Sequence, residues 1–272
     1  MLRFSANLSF LFDELPFLER FGAAARTGFE AVEFAFAYDH EPEDIAGAAH
    51  AAGVEVVLIN LPPGDLAAGD RGLAAVPGRE KDFAEALATA LRYAEALECP
   101  RLHAMAGVVP EGFSAEDCEA TLVANLAMAA AYAADQGRDV MIEPINRIDM
   151  PGYVLSYQDQ ARRVIREVGA ANLKLQFDAY HCQIMEGDLA RRFECHLPLI
   201  GHVQIADNPG RHEPGTGEIN FTYLLRQMER LGYAGWIGCE YKPLKGTVEG
   251  LGWMREFERT KTPSPQRARG SG

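Results

Sequence analysis

The sequence predicts an α/β protein, a single closed (β/α)8 barrel, from three observations. Short β-rich runs alternate with longer helical segments eight times along 272 residues, about 34 residues per unit. Each strand candidate is a mostly apolar run, as expected for a parallel sheet covered on both faces. No glycine-rich phosphate loop follows the first strand and no composition break marks a second domain. That disfavours the alternative of a doubly wound open sheet.

Strands are expected at 3–8 (RFSANL), 31–36 (AVEFAF), 55–60 (EVVLIN), 101–107 (RLHAMAG), 140–146 (VMIEPIN), 173–179 (LKLQFDA), 200–206 (IGHVQIA) and 236–241 (WIGCEY). Their length suits strands better than helices. A helix at 14–27 follows Asp13, a candidate N-cap. The helix at 42–52 opens on Pro42, whose missing N–H is harmless in a first turn, and stops at Gly53. The helix at 79–97 carries Phe83, Leu87, Ala90, Leu91 and Ala94 at helical spacing. The helix at 115–136 follows Ser114, with Asp117 placed for a partial capping box. Helices at 157–168, 187–196, 221–231 and 248–260 complete the set.

One long irregular connection, 61–79 (LPPGDLAAGDRGLAAVPGR), interrupts this rhythm. Connections of that length in a compact domain are usually functional, so it is expected to wall or cover a binding site. The glycines of PGTGE, Gly215 and Gly217, lack the Lys and Ser/Thr of a phosphate loop and read as a turn shaping the barrel mouth. Residues 1–260 are expected to form the barrel and 261–272 a flexible basic tail.

Composition narrows the function. Asp and Glu number 39 against 26 Lys and Arg, a net charge of -13. The only basic run is the tail, with Arg259, Lys261, Arg267 and Arg269. A nucleic-acid binder needs a basic footprint that this chain lacks, so no nucleic-acid partner is expected. Five widely spaced cysteines with no CxxC pair argue against a disulfide framework or a zinc knuckle and suit a reducing compartment. No apolar stretch is long enough to span a membrane, and Met1-Leu2-Arg3-Phe4-Ser5 does not open a signal peptide. A cytoplasmic protein is expected. Its outer helices could support a homo-oligomer, although the sequence marks no patch for one.

In a (β/α)8 barrel the chemistry sits at the C-terminal ends of the strands. Charges within apolar strands are costly unless paired or metal-bound, which singles out Glu143, Asp178 and Glu240. With Gln204 they recur about one βα unit apart, so successive strands would each offer one oxygen at one level of the mouth. Three carboxylates and an amide oxygen form a hard site suited to Mg²⁺ or Mn²⁺. Other candidates are for the substrate. Lys242 would face the same side as Glu240 if the strand stays extended. Arg211 lies in the loop after the seventh strand, His181 three residues after Asp178, and Asn60 and Arg79 flank the long connection. His202, two positions before Gln204, is expected to face the barrel interior.

Several long blocks make the sequence resemble the hydroxypyruvate isomerase family, within the xylose-isomerase-like TIM barrel superfamily. They are RFSANLSFLF at 3–12, PGREKDF at 77–83, IEPIN at 142–146, FDAYHCQ at 177–183, GHVQIADNPGRHEPGTGEIN at 201–220 and GWIGCEYKP at 235–243. The resemblance implies that Glu143 and Glu240 are the two catalytic glutamates and that Glu143, Asp178, Gln204 and Glu240 hold the divalent metal. It implies interconversion of hydroxypyruvate and tartronate semialdehyde, a small 2-oxo/2-hydroxy acid pair. HAMAGVVPEG at 103–112 is more similar to the 2-oxo-tetronate isomerase branch, which keeps the four-carbon acid as an alternative. A ketose 3-epimerase would carry histidine where Gln204 stands. An abasic-site endonuclease would need more histidines and a basic face. A non-catalytic sugar-binding barrel would bind without turnover.

Overall fold

Eight apolar runs become eight parallel strands in the computed structural model, which describes residues 2–257. They are β1 (Arg3–Asn7), β2 (Ala31–Phe34), β3 (Glu55–Asn60), β4 (Arg101–His103), β5 (Asp139–Ile142), β6 (Leu173–Asp178), β7 (Ile200–Ile205) and β8 (Trp236–Cys239). Each pairs with its sequence neighbour, and β8 closes on β1 through Arg3 opposite Trp236 to Ala6 opposite Cys239. Closure leaves no unpaired edge.

Among the described residues the helices are α1 (Phe17–Arg26), α2 (Pro42–Ala52), α3 (Glu80–Ala96), α4 (Ala115–Ala134), α5 (Gln158–Val168), α6 (Ala179–Met185), α7 (Leu189–His196), α8 (Phe221–Arg230) and α9 (Thr247–Gly250). Pro42 does open α2, and Gly53 ends it in the left-handed conformation at φ 69°. At α4 both halves of the capping box form, the Asp117 N–H reaching Ser114 Oγ at 3.1 Å and the Ser114 N–H reaching Asp117 Oδ2 at 3.0 Å.

Three expectations change. Asp13 does not cap α1: Pro16 occupies the N-cap position, and the Asp13 carbonyl accepts from Arg20 instead. The expected helix 248–260 shortens to α9 followed by a 3₁₀ turn over 251–256. Its last residues and the tail 261–272 lie outside the described residues. The unexpected α6 begins directly at the end of β6, with no loop to announce it.

Alternation within the strands separates two interiors. Phe177, Val203, Ile205 and Ile237 face outward and pack on Phe193, Leu225 and Met228 of the helices. Gln176, Asp178, His202 and Gln204 alternate with them and face the barrel axis, with Gln176 opposite His202 and Asp178 opposite Gln204. The apolar core therefore lies between sheet and helices, and the axis is polar.

The long connection 61–79 is a fixed wall. Its Ala74 and Ala75 N–H groups bond to the carbonyls of Met105 and Ala106 at 3.2 and 2.7 Å, and Leu73, Ala74 and Ala75 are buried. Gly72 makes this approach possible. Its φ is 113°, and a Cβ there would lie 2.4 Å from the Met105 carbonyl oxygen.

Candidate active site

The acidic strand ends converge at the barrel mouth. Asp178 closes β6 and is also the N-cap of α6, its Oδ1 accepting the N–H groups of Tyr180 at 2.6 Å and His181 at 3.3 Å. The cap fixes the carboxylate and turns the chain so that His181 comes back over it. Asp178 Oδ2 is left buried and without a hydrogen-bond partner. Glu143, one residue beyond β5, accepts Gln176 Nε2–H at Oε2 (3.0 Å), and its Oε1 is likewise buried and unpartnered. His181 Nε2 stands 3.8 Å from both Glu143 Oε1 and Asp178 Oδ2.

Glu143, Asp178 and His181 offer ligand atoms within 4.8 Å of one another. The histidine is better suited to donating than to ligating. Asn146 Oδ1 accepts two backbone N–H groups, which directs its Nδ2 at His181 Nδ1 (2.7 Å). Nδ1 then accepts and Nε2 carries the proton. Burial, followed by Arg211 and His103, pushes His181 well below the usual imidazole range, so the ring is neutral. Two bare carboxylate oxygens in a buried site are a donor set fit for a hard divalent cation.

Arg211 spans the remaining acids, its Nη2 3.3 Å from Glu240 Oε2 and 3.8 Å from Asp178 Oδ2. The guanidinium lies against the rings of Phe10 and Tyr180, and its Nε is buried without a partner. The loop that carries it is anchored by Asp207, whose carboxylate accepts the N–H groups of Asn208, Gly215, Gly217 and Ile219 at 2.9 to 3.0 Å. PGTGE is thus a turn that shapes the mouth.

Burial pushes all three acids upward. Glu143 rises well above the carboxylate range, aided by the charges of Asp178 and Glu240. Glu240 rises to about 8, with Arg211 opposing the shift. Asp178 is raised less freely, because Arg211 and the two N–H groups of α6 favour its anion.

Beneath this layer lies a set of polar side chains that sequence reasoning passed over. Glu33 of β2 is fully buried and accepts from Ser5 Oγ (2.7 Å), Asn7 Nδ2 (3.2 Å) and Gln204 Nε2 (2.8 Å), with His202 Nε2 at 2.8 Å. Burial opposes its charge, but His202, Gln204 and Ser5 hold its carboxyl below the usual range. Gln176 Nε2 then joins Gln204 Oε1 (2.6 Å) to Glu143 Oε2. The signal was present: Glu33 is a carboxylate inside an apolar strand, and Gln176 lies two residues before Asp178. His103, at the end of β4, was also missed.

The other candidates are placed as follows. Gln204 sits under the acids with its amide bonded on both sides. Lys242 does not share a strand face with Glu240, because β8 stops at Cys239. Its side chain is exposed on the rim, and its N–H holds the Arg211 carbonyl at 2.8 Å. Arg79 is taken up by Asp70 and Asp82, bracing the long connection. Asn60 ends β3 beside His103, its carbonyl accepting the Tyr38 hydroxyl. Among the described residues no hydrogen bond or ion pair joins Asn60 or Arg79 to the acids. A cavity of about 790 Å³ opens above Arg211, lined by Phe10, Ile148, Tyr180, Asn208 and Lys242.

Comparison with known proteins agrees with this architecture. The model of the xylose isomerase-like TIM barrel family matches residues 21–257. The 2-oxo-tetronate isomerase of Cupriavidus necator is 52% identical over 94% of this chain and 99% of that protein. The hydroxypyruvate isomerase of Escherichia coli is 50% identical over 94% of this chain and all of that protein. A crystal structure from Brucella melitensis, titled an AP endonuclease of family 2, is 46% identical with a TM-score of 0.92, covering 95% of this chain and all of that one. The chain therefore belongs to the xylose isomerase-like TIM barrel family, where its close relatives include proteins named hydroxypyruvate isomerase and 2-oxo-tetronate isomerase.

Proposed function

We propose that the protein is a hydroxypyruvate isomerase, interconverting hydroxypyruvate and 2-hydroxy-3-oxopropanoate by proton transfer through an enediolate. The observation that carries this reading is the group of buried acids facing a cation, with oxygens of Glu143 and Asp178 left unpartnered. Such an arrangement suits removal of a weakly acidic C–H beside a carbonyl.

Glu143 and Glu240 form the proton-transfer pair. One takes the proton from the carbon, and the pair returns it to the neighbouring carbon. Burial raises both carboxyls above the ordinary carboxylate range, Glu240 to about 8, which favours proton uptake from carbon. Arg211 presents its free Nε–H and its Nη groups to the substrate carboxylate, and Lys242 adds positive charge at the rim. The Nε2–H of His181 donates to a substrate oxygen. Glu143, Asp178, Gln204 and Glu240 would hold Mg²⁺ or Mn²⁺, which when bound stabilises negative charge on the substrate oxygens. Walls built from 61–79 limit access of water.

A second reading is 2-oxo-tetronate isomerisation, the same chemistry on a four-carbon acid. The 52% identity to a protein of that name supports it, as does a cavity of about 790 Å³ beyond Arg211. Turnover of both acids, followed by NMR in D₂O with and without chelator, tests the proposal. Chelator-sensitive isomerisation with deuterium entering at carbon is expected, and kcat/KM ranks the two acids. Each of Glu143→Gln and Glu240→Gln is expected to lower turnover by about 10²- to 10⁴-fold with the fold intact. Near-normal turnover in either folded variant refutes the assignment.

A further inference from the structure

His103 closes β4, in register with Asn60 of β3 and Met141 of β5. Its ring is 1% exposed, and neither nitrogen has a hydrogen-bond partner. Nε2 lies 3.7 Å from Glu143 Oε2, beyond hydrogen-bond reach, and that oxygen already accepts from Gln176. A buried polar ring left unpaired is destabilising in a way that an apolar residue there would not be. A group in that condition beside a buried acid at the barrel mouth finds its partner in what binds there.

The chemistry has a matching gap. Turning a hydroxy-ketone into a hydroxy-aldehyde moves two protons, one between carbons and one between oxygens. The glutamates account for the first. We propose that His103 is a further catalytic residue, its unpartnered ring carrying the second proton between the two substrate oxygens. Nε2–H gives its proton to the former carbonyl oxygen. The same nitrogen then recovers a proton from the adjacent hydroxyl. One O–H bond forms and one breaks, no electrons leave the substrate, and the ring ends neutral. This inference rests on the isomerase reading above.

The test uses the full chain with Mn²⁺ and hydroxypyruvate in D₂O, following deuterium entry at carbon and isomer formation separately. Without the oxygen relay, the enediolate returns to the starting acid carrying deuterium. In His103→Leu, isomer formation is expected to fall about 100-fold while exchange falls only about threefold, so their ratio rises about 30-fold. His103→Asn lacks any group at the Nε2 position and should give the same split, which covers a leucine variant that does not fold. Mn²⁺ affinity by calorimetric titration should stay within about threefold of wild type. Exchange and turnover falling together would make His103 a support for Glu143 and overturn the proposal. Wild-type turnover in a folded variant would also overturn it, as would a Mn²⁺ affinity loss above about tenfold. Wild-type protein with neither exchange nor turnover on any of these acids would instead defeat the isomerase reading itself.

Discussion

Replacing Gly238 with alanine probes the polar layer beneath the acids. A Cβ on Gly238 would lie 2.2 Å from Glu33 Oε1 and 2.5 Å from its Cδ. The backbone of Gly238 is not in the left-handed region, so the conflict is with the carboxylate alone. To restore ordinary contact Glu33 must retreat by about 1 Å, and overpacking of that kind costs roughly 1–3 kcal/mol. The retreat stretches the Ser5, His202 and Gln204 contacts from 2.7–2.8 Å beyond hydrogen-bond range. Hydrogen bonds to a charged group are worth roughly 1.5–3 kcal/mol each, so the combined loss should be about 3–5 kcal/mol after partial relaxation. Urea denaturation reads this as a lower midpoint at unchanged m. The decisive measurement is a cycle with Glu33→Ala, in whose background the Gly238 methyl has nothing to strike and should add less than about 0.5 kcal/mol. A wild-type midpoint for the single variant would refute the reasoning. So would an equal cost of the methyl in both backgrounds.

Further outcomes follow from the acids and from Arg211. Glu240 holds its proton up to about 8 in the folded chain against an ordinary 4.5, so its contribution to stability is full below about 4.5 and lost as pH rises through 8. Scanning calorimetry of chelator-treated protein should therefore show the melting temperature falling from pH 5 to 8.5, with Mn²⁺ reversing the fall; a flat or rising profile contradicts this. Glu143→Gln removes an acid held beside the charges of Asp178 and Glu240, and should raise the stability of the metal-free protein by about 1–2 kcal/mol while lowering turnover as stated above. Loss of stability in that variant would mean that Glu143 is held by partners not described above. Arg211→Gln should raise KM for the carboxylate substrate about 10- to 100-fold, read by steady-state kinetics, and an unchanged KM would remove Arg211 from substrate binding.

The polar layer also explains why the mouth can hold several acids in fixed positions. Glu33 orients the Gln204 amide, Gln204 and Gln176 are bonded to each other, and Gln176 occupies one oxygen of Glu143. Each glutamine is satisfied on its nitrogen side, while Glu143 Oε1 and Gln176 Oε1 stay buried without a hydrogen-bond partner. These shared hydrogen bonds tie the positions of the four side chains to one another.

The sequence by itself determined the eight βα units, their order and the strand ends at which Glu143, Asp178, Gln204 and Glu240 stand. These follow from local periodicity, and closure of a parallel sheet then brings successive strand ends to one mouth. Caps that depend on neighbours in sequence, Pro42 with Gly53 and Ser114 with Asp117, were legible for the same reason. Tertiary structure alone decided the partnerships. Glu33 meets His202 across 169 residues, and Arg211 reaches back to Asp178 and Glu240 from a loop folded around Asp207. It also decided that Arg79 braces a wall, that Lys242 leaves the strand, and that Asn146 sets the tautomer of His181. Such contacts are fixed by where the chain returns in space, and a one-dimensional pattern records only which side of its own strand a residue faces.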